Sequence, residues 1–589
     1  MNVRFLVIAM LVCVALSGLK PVSAQENVAP EPAEEMWWFP ELPKPTGLLR
    51  TMPVETFGDR PREQDQAWRQ AAEMGPMHML VQSAAGLAAR AVKHGEYDQM
   101  VWITTMHPNQ NAIYERLTRR LKISRRNQSN MLAPWDLVKR LKDDGVVKGY
   151  ILYHHNLRGQ DDPSANVGTS VAGLLGGVLV EESFEEQAKA LGLKMLLDAR
   201  EHNEHWVFET HRDKLFRRGA MFQNPGKPHA RDYAIAHDMI AVFGNGELEQ
   251  EILAWMEPLS PIVGWNEGDE GENAKMFSQY SHFNTATDWS INLPILSAGA
   301  REHAVAKLPD AEPLQQSDLP KVSLVMSDGD NLQWMTQNFF ADDQPRYWLS
   351  PYRNDMPYTW TLCLANMRQA SPDFMDFTAD TIPANATAVE FGGGYYFPDR
   401  FGELRDEPDL LAKQARKTWA NMQAVNSDVL CLIFDEITSD DARKAMQVYA
   451  DNMPGLKGIL AMDYYPYSKG EGEVIWIERD GGEPLPVATC RLELRTDFKL
   501  PTTGGVADTA KTILDNPMAS QWIVQHAWSS FEVPEGHGNP MPTRNDNDGR
   551  VTGLSGSAWL ADALGDKVQL VTAQQYFESL TPPKEEASK

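Results

Sequence analysis

The chain has 589 residues, 42% of them hydrophobic and 9% aromatic, and sets 55 Lys and Arg against 81 Asp and Glu for a formal charge of −26. An anion of that size repels nucleic acid and anionic membrane surfaces, so neither is an expected partner. The length is too great for one core and predicts three or four domains.

Residues 1–24 read as a secretory signal peptide. Arg4 supplies the positive start, Phe5 to Leu16 the apolar stretch, and Val22-Ser23-Ala24 a small-residue cleavage site. The apolar stretch is too short to span a bilayer, and no later stretch is long enough. The expectation is a secreted or periplasmic protein, not membrane-embedded, whose charge becomes two units more negative when Arg4 and Lys20 leave. Cleavage also removes Cys13. Cys363, Cys431 and Cys490 remain, an odd number, without a CxxC and within apolar runs, which predicts buried free thiols.

Residues 40–134 carry apolar positions at helical spacing, as in NAIYERLTRRLKI, and predict an N-terminal helical domain. Residues 135–204 alternate amphipathic helix with the runs GYILY, GVLVE and KMLLD, the pattern of a small α/β domain with parallel strands. A third domain is expected over 205–300. Its Trp265 and Trp289 stand in polar stretches that would either line a cleft or make an interdomain contact. AKLPDAEPLQQSDLPK, with three prolines and little periodicity, reads as a linker.

Residues 318–580 hold eight short apolar runs with helices or loops between them: KVSLVM, YTWTLCL, ATAVEF, SDVLCLIF, KGILAM, PVATCRLEL, QWIVQ and KVQLVT. This predicts a multidomain α/β protein ending in a (β/α)8-like barrel; an open doubly wound sheet would give the same pattern. In both, ligands bind at the carboxyl ends of the strands. Those ends carry Asp328 and Asp330, Glu390, Asp435 and Glu436, Asp463, and His526. Trp334, Tyr395, Tyr396, Tyr464, Tyr465, Tyr467 and Trp528 cluster at the same ends, and aromatic faces suit the C–H faces of sugars.

Gly392-Gly393-Gly394-Tyr395-Tyr396-Phe397-Pro398 resembles the signature of the GxGYxYP family of putative glycoside hydrolases, with Phe397 where the family has tyrosine. KGYILYHHN with LGLKMLLDAR is similar to that family's second N-terminal domain, PIVGWNEGDE with TATDWSINL to its third, and SLVMSDGDN with VQHAWS to its C-terminal domain. The resemblance implies a hydrolase acting on glycosidic bonds.

A glycosidase needs one carboxylic acid to protonate the leaving oxygen and one carboxylate as nucleophile or base. The candidates are Asp328 or Asp435 for the second role and Glu436 or Glu390 for the first. Asp330, Tyr395, Tyr396, Asp463, Tyr464, His526 and Trp528 are the candidates for holding substrate. No cofactor is expected on this reading. Two alternatives stay open: a metal-assisted glycan deacetylase with a divalent ion on Asp328, Asp330 and His526, and a carbohydrate-binding protein without catalysis. The glycines of the signature would either let a ligand approach the backbone or form a turn whose rings pack on the N-terminal domains.

Overall fold

The structure, a computed structural model, describes residues 36–57, 75–106, 108–155, 162–340, 345–538 and 550–582; the leader expected over 1–24 lies outside them. Three small sheets, each wholly parallel, come first. β1 (Gly47–Thr51) lies between β2 (Gln99–Trp102) and β3 (Gln128–Leu132). β4 (Gly149–Tyr153) lies between β5 (Gly177–Glu181) and β6 (Met195–Asp198). β7 (Ala220–Gln223), β8 (Ala241–Val242), β9 (Pro261–Trp265) and β10 (Phe283–Ala286) form a sheet of order β10-β9-β7-β8.

Residues 40–134 therefore contain three strands and are not the helical unit that their spacing predicts. The helix Gly75–Lys93 is present and buries most of its length. The strands are only four or five residues long. Runs that short do not establish a period of two beside longer helical segments.

The fourth sheet is the largest. Its strands are β11 (Lys321–Met326), β12 (Tyr358–Leu362), β13 (Ala386–Phe391), β14 (Val429–Phe434), β15 (Gly458–Asp463), β16 (Val474–Ile477), β17 (Leu485–Thr489), β18 (Leu492–Leu494), β19 (Thr503–Gly504) and β20 (Ser520–Gln525). β21 (Ser530–Phe531) and β22 (Val551–Thr552) make a separate antiparallel ribbon, and β23 (Gln569–Val571) returns to the large sheet beside β11. The expected linker runs without regular structure up to β11.

This sheet curls. β17 pairs with β15, and β18, two residues further on, pairs with β20. The switch falls where the amide of Cys490 donates to Ala461 (3.0 Å) and that of Arg491 to Trp522 (3.3 Å). Val325, Val389, Cys431, Leu460, Ala488 and Trp522, one from each of six strands, pack in a single buried cluster on the concave side. The pairing departs from an eight-fold ring in chain order. β20 takes one edge of β11 along all six of its residues, and β23 shares the other edge with β12, bonding Lys321–Ser323 while β12 takes Val325 and Met326. Cys363, Cys431 and Cys490 are buried and free, and burial pushes all three thiols up. Among the described residues no helix is long and apolar enough to cross a membrane.

The loop after β13 joins the curled sheet to the third small one. Gly392, Gly393 and Gly394 all have positive φ (67°, 82° and 137°), where a side chain is strained. A Cβ on Gly393 would sit 2.7 Å from the Trp38 ring, and one on Gly394 2.3 Å from the Phe283 ring. The buried carboxylate of Glu390 accepts from the amides of Gly393 (2.7 Å) and Ala365 (2.8 Å), which fixes the turn against the start of the helix Leu364–Ala370. Asn284 of β10 and Tyr395 then exchange two backbone hydrogen bonds of 2.9 Å each. The glycines are present because other parts of this protein come close. We expect Gly394→Ala to lower the unfolding free energy by about 2–4 kcal/mol, from backbone strain plus overpacking. An unchanged denaturant midpoint would mean that Phe283 moves aside freely.

Candidate active site

The carboxyl end of β11 runs into Ser327-Asp328-Gly329-Asp330. Gly329 is required there, since a Cβ would lie 2.3 Å from the backbone of Thr361. Asp328 has φ of 64°, uncommon for a residue with a side chain and a mark of functional positions. Its carboxylate accepts from the Trp528 indole (2.7 Å) and from the Ser327 hydroxyl, which in turn accepts from the amide of Ala527 (3.0 Å). The ends of β11 and β20 thus hold Asp328 in one orientation.

A third acid faces this pair from the other layer. The helix Glu270–Gln279 follows β9 and is capped by Asp269, whose carboxylate accepts from the amides of Gly271 (2.8 Å) and Glu272 (3.2 Å). Gly271 lets the helix meet the curled sheet: a Cβ there would lie 2.3 Å from the Tyr464 ring. Glu270 is exposed at the start of its helix, yet the protein packed around it, with Asp328 the next largest influence, pushes its carboxyl up to about 7. Burial, then Asp328 and Glu270, holds Asp330 well above the carboxylate range. Three acids share one space, two of them inclined to keep protons.

Aromatic and cationic groups complete the wall. The Tyr395 phenol favours the charged form of Glu270, and its ring stacks parallel to Trp265 at 6.5 Å. Tyr467 lies under the guanidinium of Arg495 (5.5 Å) and beside His526 (6.4 Å). Arg495 is itself held by Asp497 at 3.1 Å. Burial lowers the pKa of His526, against the opposing pull of Asp328.

Of the residues expected from sequence, Asp328, Asp330, Tyr395, Tyr464, His526 and Trp528 meet here. Others are committed elsewhere. Asp435 pairs with Arg400 (2.6 Å) and Lys275 (3.0 Å), an ion pair between the two layers. Glu436 is taken by Lys469 and Thr438, and Asp463 accepts from the amide of Ile437 (3.2 Å) and faces Lys469 at 3.5 Å. Glu390 caps the glycine turn from the convex side. Tyr396 is buried with its hydroxyl on Gly392 (3.0 Å) and Tyr449 (2.7 Å) and lines no cleft. Glu390 and Asp463 follow their strands' alternation away from the concave side, which Val389, Phe391 and Met462 occupy.

The expected ion site on Asp328, Asp330 and His526 does not draw together. Among the described residues, the group of three possible ligands with atoms within 4.8 Å of one another is His154, Glu181 and Glu182, elsewhere in the fold. There His154 and Glu182 pair at 2.9 Å, and Arg200 holds the other oxygen of Glu182 at 3.0 Å.

Sequence reasoning missed Glu270 and Arg495. The rule that ligands gather at the carboxyl ends of parallel strands points to Glu270 once it is applied to β9 as well as to the large sheet. Arg495 follows β18 and was hidden because PVATCRLEL reads as one strand.

Three family models match the chain: the GxGYxYP_N second domain over 147–215, the GxGYxYP third domain over 219–298, and the GxGYxYP putative glycoside hydrolase C-terminal domain over 321–534. The chain belongs to the GxGYxYP family. The matches place the joins of this GxGYxYP protein close to the sheet boundaries. No curated protein matches it. A crystal structure of a putative hydrolase from Bacteroides thetaiotaomicron VPI-5482 is similar over 92% of this chain and 95% of that one, with a TM-score of 0.73 at 20% identity, a likeness of fold alone.

Because Asp435 serves the joint between the layers, Asp435→Asn is expected to cost about 1 kcal/mol of stability, the scale of a half-buried ion pair. Thermal unfolding checks this; an unchanged midpoint would mean that Asp435 does not hold the joint.

Proposed function

We propose that this GxGYxYP protein is a glycoside hydrolase whose acid comes from one layer and whose base or nucleophile comes from another. The observation that carries this is that Glu270, Asp328 and Asp330 act on one another electrostatically, with Trp528 bonded to Asp328 and the Tyr395 phenol beside Glu270. Glu270, inclined to stay protonated up to about 7, would give its proton to the glycosidic oxygen as the C–O bond breaks. Asp328, oriented by Trp528 and Ser327, would supply the carboxylate that attacks the anomeric carbon or activates the water that does. Asp330, whose protonated form is favoured by burial and then by Asp328 and Glu270, would donate a hydrogen bond to a sugar hydroxyl. Water adds across the bond, giving a hemiacetal and a free hydroxyl. The leader sequence supports an exported enzyme, secreted or periplasmic.

The test is release of new reducing ends from polysaccharides and aryl glycosides, with and without EDTA. Glu270→Gln and Asp328→Asn should each lower turnover by roughly 10²-fold or more while the unfolding midpoint stays near wild type, and EDTA should have no effect. The acid works in its protonated form, so activity should be present below the raised value of Glu270 and fall as pH rises through about 7. Glu270→Gln should remove that limb. No reducing ends on any substrate, or full activity in either variant, would overturn the assignment.

A further inference from the structure

Three large aromatic rings are exposed among the described residues: Trp289 (47%), Tyr465 (51%) and Trp528 (47%). A soluble protein scatters exposed rings singly and without relation to one another. These three are tied to the site just described. Trp528 donates its indole N–H to Asp328 and lies 4.8 Å from Trp334. Trp289 is held by the segment after Asp330: its amide donates to Gln333 (2.6 Å) and its carbonyl accepts from Gln337. Lys227 sits 5.3 Å above the Trp289 ring and is paired with Asp288. Tyr465 packs edge-on at 5.2 Å against Phe498, whose other neighbour is the guanidinium of Arg495 at 4.0 Å. Each ring therefore has supporting neighbours on one side while about half of its surface stays exposed, which suits a platform rather than a core.

The charge beside these rings is one-sided. Glu270, Asp328 and Asp330 are acidic. Two cations stand beside them: Arg495 is offset by Asp497 and by Glu493 at 3.8 Å, and Lys227 by Asp288. A sugar bearing a carboxylate or sulfate would face these acids, and Arg495 and Lys227 are already engaged by acids of the protein.

We infer that the substrate is an uncharged oligosaccharide chain of at least three sugar units, stacked on Trp289, Trp528 and Tyr465 around the acids. This rests on the hydrolase reading and narrows it. Three supported faces are more than one sugar can cover, so affinity must grow with chain length.

The experiment is titration of the full-length protein with cello-, xylo- and chito-oligosaccharides of one to six units, and with oligogalacturonates of the same lengths. The expected result is affinity for an uncharged series that rises through at least three units, with no matching gain for the uronates. Trp289→Ala and Tyr465→Ala should each weaken binding of the six-unit chain by about tenfold, the scale of one ring contact. Met195→Ala, an exposed residue on β6 in another sheet, serves as the control and should change nothing. Affinity independent of length, equal binding of uronates, ring variants indistinguishable from wild type, or no binding to any series would each overturn the inference. The two readings can fail separately. Length-dependent binding without new reducing ends would sink the hydrolase and keep the platform, whereas cleavage of aryl glycosides without length dependence would do the reverse.

Discussion

The arrangement depends on one junction, the pair of backbone hydrogen bonds between Asn284 and Tyr395. Through it the turn after β13 is added to the edge of β10 as an antiparallel partner. The small third sheet and the curled sheet are then held in fixed register, as two strands are. Side-chain contacts alone would leave the layers room to slide. The helix Glu270–Gln279 confirms the register at three successive turns, with Gly271 against Tyr464, Lys275 on Asp435, and the hydroxyl of Ser278 accepting from the amide of Phe397 (2.8 Å). Glu270 stands at the end of that helix, so its position opposite Asp328 is set by the docking.

Within the large sheet, the sequence was readable wherever a residue's place follows from its own strand. The eight apolar runs are all strands, and Asp328, Asp330 and His526 lie at the carboxyl ends where parallel strands present ligand-binding groups. It misled where side-chain direction decides the outcome. Glu390 looks like a catalytic acid at a strand end, but its neighbours in sequence, Val389 and Phe391, take the concave side and turn it outward to cap the glycine loop. Asp435 and Glu436 stand beyond the last pleat of β14, where Arg400, Lys275 and Lys469 claim them. Glu270 was illegible for a different reason: it is distant in sequence from the acids it joins, and only the fold brings it near them.

Electrostatics distinguish the two kinds of acid. Those paired with Arg or Lys, Asp435 between the layers and Glu436 with Lys469 beside the large sheet, are satisfied without a ligand. Those in the cleft face one another, so that placing a charge on any one is opposed by the others. The protein keeps them there at a cost, visible in the left-handed backbone of Asp328, a conformation glycine would adopt more easily. That the position carries a carboxylate indicates that the side chain matters more than local comfort.

A site shared between layers also constrains how the molecule comes into being. Each small parallel sheet is completed within its own stretch of chain, 47–132, 149–198 or 220–286, and such units fold as units. The junction of Asn284 with Tyr395 closes a loop of more than a hundred residues, and the cleft does not exist before it closes. During refolding, helical signal and buried tryptophan should therefore recover ahead of ligand binding, and the lag between them is the time the layers take to dock.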